Sequence, residues 1–123
     1  RDAIDRCFAG DSVEAVLDAL SAEETDWASA QRDAILGKSP ASTRIAFRQL
    51  RTGARLGFED CMRLEYGLAR WCMTHSDFYE GVRATILDRD GAPRWRPASL
   101  SEADDAFVAD AFAPLPAGER PTL

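Results

Sequence analysis

Between Asp77 and Pro97 the sequence D-F-Y-E-G-V-R-A-T-I-L-D-R-D-G-A-P-R-W-R-P carries its own start and stop signals, and these restrict the fold more than any other stretch. Asp77 followed three residues later by Glu80 has the form of a capping box, which predicts a helix beginning at Phe78. Phe78, Val82 and Ile86 recur at spacing four and form one apolar stripe, predicted to face a core, with Tyr79 and Leu87 at its margins. Gly91 can adopt a left-handed C-terminal conformation and Pro93 forbids continuation, so the helix is expected to end near Asp88 to Asp90. Gly81 lies inside this helix, where glycine costs about 1 kcal/mol relative to alanine, and a close neighbour is expected against it. Arg94 to Pro97 should be extended, because Pro97 biases Arg96 away from helix.

The same punctuation recurs along the chain. A short helix over Asp2 to Phe8 precedes Gly10, and Asp11 with Glu14 suggests a cap for a helix whose stripe is Val13, Val16, Leu17 and Leu20. Ser21 with Glu24 repeats the device, starting a helix to Leu36 with Trp27, Ala30, Ala34 and Ile35 inward, and the two form a helical hairpin. Ser39 and Pro40 supply an N-cap and a first-position proline for a helix closed by Gly53, with Ile45, Phe47 and Leu50 on its apolar side. Its other side carries Arg44, Arg48 and Arg51, which could attract phosphates or form a solvated, ion-paired face. The longest helix is expected from Phe58 to Thr74, with stripes Cys61, Leu64, Leu68, Trp71 and Phe58, Met62, Tyr66, Ala69, Met73, and should be largely buried. A last helix is expected after Ser101 as N-cap, with Phe107, Val108 and Phe112 among its apolar residues. The fold class is therefore all-α, about six helices with one short extended segment, in a single domain over 1–123 with an irregular tail at 114–123.

Charge and cysteine usage exclude several function classes. The net charge is −6, and no run of Lys and Arg follows one face, which argues against nucleic acid. No stretch approaches the roughly 20 apolar residues of a membrane helix. Cys61 and Cys72 fall on one helix, about 16 Å apart, beyond the roughly 7 Å between Cα atoms that a disulfide allows. With Cys7 they are expected to be free thiols in a reducing, cytoplasmic compartment. His75, the one histidine, has no Cys or His at metal-ligand spacing, so no metal site is expected. There is no Gly-rich phosphate loop, no G-x-S-x-G elbow and no Cys-His arrangement, and no catalytic residue is assigned. Glu65 lies between the two stripes of the longest helix, and a buried carboxylate needs a partner. Arg83 is the expected one.

Four stretches in order resemble one family: D-R-C-F (Asp5 to Phe8), G-K-S-P-A-S-T-R-I-A-F-R-Q-L (Gly37 to Leu50), R-L-E-Y-G-L-A (Arg63 to Ala69) and the Asp77 to Pro97 run. They are similar to the closing segment of 3-hydroxyisobutyryl-CoA hydrolases, in the crotonase (enoyl-CoA hydratase/isomerase) superfamily. The resemblance implies the C-terminal part of a longer acyl-CoA-processing enzyme, whose crotonase core and catalytic carboxylates lie upstream. It further implies helical closure over the acyl-CoA pocket, subunit contacts, and no cofactor apart from the coenzyme A moiety of the substrate. Hydratases of the superfamily carry A-F-x-E-K-R in the corresponding helix, with a Lys that approaches coenzyme A. Here the run is A-T-I-L-D-R-D, with Asp88 where that Lys falls, so that contact is not inherited. Arg89 is left as a candidate for a coenzyme A phosphate, or as a solvated surface arginine. Trp95 is a candidate for adenine stacking, or an aromatic anchor for the extended segment.

Two classes of function are thus in view. One is the helical portion of a hydrolase, or alternatively of an enoyl-CoA hydratase/isomerase, inactive by itself. The other is a stand-alone helical interaction module. In either, the apolar surface of the long helix together with Trp27, Phe47, Trp71, Phe78, Phe107 and Phe112 needs cover, so the chain is expected to self-associate or to bind a separate core chain.

Overall fold

The structure, a computed structural model, describes residues 1–122. It is helical, with seven α-helices and no strand among the described residues, as the all-α reading expects. Two compact units divide the chain, Arg1–Lys38 and the remainder from Ser39.

The first unit contains α1 (Asp2–Cys7), α2 (Val13–Ala22) and α3 (Asp26–Leu36). Val13, Val16 and Leu20 of α2 are buried with Cys7 of α1 and Ala28 of α3. Two caps differ from expectation. Ser12, not Asp11, caps α2 by accepting from Ala15 N, and Thr25, not Ser21, caps α3 by accepting from Ala28 N. Ser21 remains inside α2 and its hydroxyl donates to Leu17 O at 2.9 Å. The break comes at Glu24, whose φ of 50° turns the chain out of helix so that α3 starts later. In α3 the buried residue is Ala28, whereas Trp27, Ala30 and Ala34, expected inward, are exposed.

In the second unit α4 (Pro40–Gly53) begins as expected, with the Ser39 hydroxyl accepting from Ser42 N and Pro40 in the first turn. It packs with α5 (Phe58–Met73) and α7 (Asp105–Ala111) around Ile45, Leu68, Val108 and Ala111, flanked by Leu64, Trp71 and Phe112. The cap of α7 is Asp104, which accepts from Phe107 N at 2.8 Å, rather than Ser101. Two of the α4 arginines lie over rings: Arg48 stands over Phe112 at 4.4 Å and Arg51 over Phe47 at 5.1 Å. Arg44 donates from Nε and Nη2 to Leu100 O at 2.9 and 2.7 Å.

The largest departure concerns α5. Only its Leu64–Leu68–Trp71 side meets the core; along the second stripe Phe58 is 78 % exposed and Met73 50 % exposed, with Tyr66 and Ala69 also open. A helix can be apolar on two sides, yet α4 and α7 cover one of them. Glu65 is exposed as a result, not buried. After α5 come α6 (Ser76–Val82) and a π-helical turn, Arg83–Leu87. The stripe expected to face a core is open here too, with Phe78 47 % and Ile86 60 % exposed.

Candidate functional site

The region from Asp77 to Pro97 is fastened by its polar side chains, and this is where most of the residues singled out in the sequence come together. Asp77 does not cap α6; the N-cap position belongs to His75, whose side chain makes no capping bond. The Asp77 carboxylate is buried instead. Its Oδ2 accepts from the Ser39 hydroxyl at 2.5 Å and its Oδ1 from Arg96 N at 2.7 Å, so one carboxylate ties the start of α4 and the Arg94–Pro97 segment to α6. Buried without those donors it would cost several kcal/mol, on the order of any unpaired buried charge.

Glu80 likewise does not reach back to a helix-capping amide. Its two oxygens accept from Arg83 Nε at 2.9 Å and Nη2 at 2.7 Å, a two-pronged pair, and Oε1 also accepts from Arg94 N at 2.8 Å. Arg83 Nη1 donates to Asp88 at 2.8 Å and Asp90 at 2.6 Å. The partner of Arg83 is therefore this acidic trio and not Glu65, which lies on the exposed side of α5 beside a small cleft with Gln49 and Cys61. The reason is geometric: Glu80 is three residues from Arg83 on the same helical face, within easy reach of the guanidinium. The hydrogen bond from Arg83, and then that from the Arg94 amide, holds the Glu80 carboxyl down to about 2. Asp90 is also lowered, chiefly by Arg83 and secondly by the Ala92 amide. Arg83, for its part, is raised, mainly by Glu80.

The π-helical turn closes with Asp88 N donating to Arg83 O at 2.8 Å, and Gly91, at φ 62°, sends its amide back to Ala84 O at 3.1 Å. Widening the helix here lets one guanidinium meet both Asp88 and Asp90 while Ala84 stays buried. The turn then returns the chain to α6, and Trp95 settles over Gly81. A Cβ added to Gly81 would stand 3.5 Å from the indole, an ordinary contact, so alanine fits and a longer side chain would displace the ring. Arg89 is placed differently. It is exposed, at φ 54°, with Nε donating to Ile86 O at 3.2 Å, beside Ile86 and Leu87, which are also exposed.

The spacing Glu80, Arg83, Asp88, Asp90 was the available signal for this clasp. The Asp77–Glu80 spacing equally fits a capping box, so local spacing alone does not distinguish the two.

Trp71 donates from Nε1 to Asp110 at 2.8 Å and stacks on His75, with ring centroids 3.5 Å apart. His75 Nδ1 faces Trp71 O at 2.7 Å, a carbonyl that can only accept, which places the proton on Nδ1. Burial pushes the Cys7 and Cys72 thiols up, away from the thiolate form, and all three cysteines are free. Among the described residues no group of three His, Cys, Asp or Glu side chains could hold a metal ion, and no helix is long and apolar enough to cross a membrane.

Comparison with known proteins places this architecture. The family model for enoyl-CoA hydratase/isomerase matches residues 1–112. The mitochondrial 3-hydroxyisobutyryl-CoA hydrolase of Gallus gallus is 42% identical over 112 residues, 91% of this chain and 29% of that protein. Its Homo sapiens counterpart is 35% identical over 114 residues, 93% of this chain and 30% of that protein. Among solved structures, an enoyl-CoA hydratase from Rhodobacter sphaeroides superposes with a TM-score of 0.89 at 32% identity, covering 99% of this chain and 36% of that one. A carnitinyl-CoA dehydratase from Mycobacterium thermoresistibile gives 0.86 at 34% identity, covering 94% and 33%. The chain thus spans about 30% of the length of the hydrolases it matches. With the match running through α1 to α7 and the fold agreeing over nearly the whole chain, the protein belongs to the enoyl-CoA hydratase/isomerase family of the crotonase superfamily.

Proposed function

We propose that this chain is the helical closing portion of an acyl-CoA hydrolase acting on 3-hydroxyisobutyryl-CoA, a step of valine breakdown, and that it works only together with a crotonase core. The observation that carries the reading is the outward apolar face of α6 and the π-helical turn. Phe78, Ile86 and Leu87 are 47, 60 and 71 % exposed, on a segment tied down by the hydrogen bonds of Asp77 and of the Glu80–Arg83 pair. An apolar face anchored in this way is suited to close over a core and its acyl group. Arg89, exposed at the end of that face, is the cation this reading assigns to a coenzyme A phosphate. Trp95, lying on Gly81, serves as an anchor in this reading and not as an adenine platform.

The roles are divided accordingly. Water activation and oxyanion stabilisation belong to the core. This chain excludes water from the pocket, supplies one cation, and takes part in subunit contacts. The hydratase reading is the alternative, favoured by the fold agreement with the Rhodobacter sphaeroides enzyme at TM-score 0.89. An interaction module without catalysis would use the same face for a different protein.

Two chimeras separate these readings. In one, this chain replaces the matching segment of the Gallus gallus hydrolase; in the other, that of the Rhodobacter sphaeroides hydratase. Hydrolysis of 3-hydroxyisobutyryl-CoA, followed as thiol release, should be kept in the first chimera and fall at least tenfold with Arg89→Glu. Hydration of crotonyl-CoA by the second chimera alone would favour the alternative. Two folded but inactive chimeras would favour the module. The isolated chain should turn over neither thioester.

A further inference from the structure

The residues beyond 112, where the family model's match ends, fold back against the helices of the second unit. After α7 the chain doubles back along α5: the 3-10 turn Ala117–Glu119 is pinned by Arg70 Nη2 to Glu119 Oε2 at 2.8 Å, and Arg120 Nε donates to Leu115 O at 3.1 Å. Between this strap, α5 and the end of α7 lies a cleft of about 400 Å³, within the range of small-molecule sites. Leu64, Phe112 and Leu115 give it an apolar wall. Gly67 lies in its wall opposite Leu115: a Cβ there would meet Leu115 at 3.9 Å, an ordinary contact, so it takes a longer side chain to fill the cleft.

Two guanidinium groups border the cleft, and they differ. Arg63 is engaged by Asp60 at 3.0 Å and Glu59 at 3.4 Å on its own helix. Arg120 uses only Nε, on a carbonyl, and among the described residues no carboxylate lies within ion-pair distance of it. Its remaining donors form a planar fork suited to a carboxylate. An apolar wall with a guanidinium at its rim that no described carboxylate engages selects a particular chemistry.

We propose that this cleft binds a small amphiphilic carboxylate, its hydrocarbon body against Leu64, Phe112 and Leu115 and its carboxylate on Arg120. The site is separate from the face assigned above to the acyl-CoA pocket, so it stands or falls independently of that reading. The overall charge of −6 opposes any anion, so the apolar contact has to supply most of the affinity and the fork sets orientation.

The test is calorimetric titration of the chain with decanoate and, as an uncharged match, decanol. The expected result is one saturable decanoate site, at least tenfold weaker for decanol and for Arg120→Gln, and abolished by Gly67→Leu, which fills the cleft from α5. Should Gly67→Leu fail to fold, Leu115→Trp fills the cleft from the strap. Undiminished decanoate binding in a folded, cleft-filled variant would place the ligand on the exposed apolar surface and overturn the proposal. Equal affinity for decanol and decanoate would remove the role of Arg120, and absence of saturable binding would remove the site.

Discussion

Two parts of the second unit are held in opposite ways. In the α4–α5–α7 cluster, Ile45, Leu68, Val108 and Ala111 are each at most 5 % exposed, and the helices meet through apolar contact. The clasp of α6, the π-helical turn and Trp95 is joined by carboxylates, a guanidinium and backbone amides, while Phe78, Ile86 and Leu87 are exposed. Burial of apolar surface is non-directional and tolerates sliding, whereas hydrogen bonds fix both distance and angle. The first arrangement supplies stability; the second supplies direction, and so can hold an apolar face outward that would otherwise turn inward.

Breaking the apolar cluster should have the largest effect. Leu68→Ala is expected to destabilise by about 2–5 kcal/mol, through lost transfer energy and a residual cavity, while Leu87→Ala on the clasp should stay within about 0.5 kcal/mol. Urea denaturation of both variants measures the contrast directly, and similar losses would mean that the two regions are not held differently after all.

Asp77→Ala tests the clasp at its buried point. It strands the Ser39 hydroxyl and the Arg96 amide, at about 1–3 kcal/mol for unsatisfied buried groups. The loss should be read alongside proteolysis within 92–97. Cleavage there without a comparable loss of helix would show that Asp77 pins the segment and does not hold up the core.

Acid should loosen the clasp next. Glu80 is held at about 2 against an ordinary value of 4.5, so the ionised carboxylate is favoured in the folded chain. A depressed folded value means the stabilisation is complete above about 4.5 and is lost progressively as pH falls toward about 2. Melting temperature should therefore fall more steeply across that window in the wild type than in Glu80→Gln. Parallel profiles would show that the Arg83 pair adds nothing.

The smallest effect belongs to α5. Glu65→Ala and Glu59→Ala should both lie within about 1 kcal/mol of wild type, since one residue is exposed and the other makes only a surface ion pair with Arg63. A large loss at Glu65 alone would restore the buried pair with Arg83 that the sequence suggests.

What the sequence determined by itself was local and periodic. Ser39-Pro40 started α4, the α5 pattern ran from Phe58 to Met73, and Gly91 took the left-handed turn, because hydroxyl caps, ring-fixed φ angles and a missing Cβ act within a few residues. Family membership was legible for the same reason, being carried by contiguous residues. Caps at Asp11, Ser21, Asp77 and Ser101 were misplaced because several Ser, Thr and Asp residues compete near each helix start, and a shift of one to four residues costs little locally. Which of two apolar stripes is buried, and which carboxylate Arg83 meets, was settled only in three dimensions. Periodicity says that a face is apolar, but burial depends on whether another element covers it, and an ion pair depends on which of several acids the backbone brings within about 4 Å. For α5 the covering helices reach one stripe, and for Arg83 the π-helical turn brings Asp88 and Asp90 nearer than Glu65.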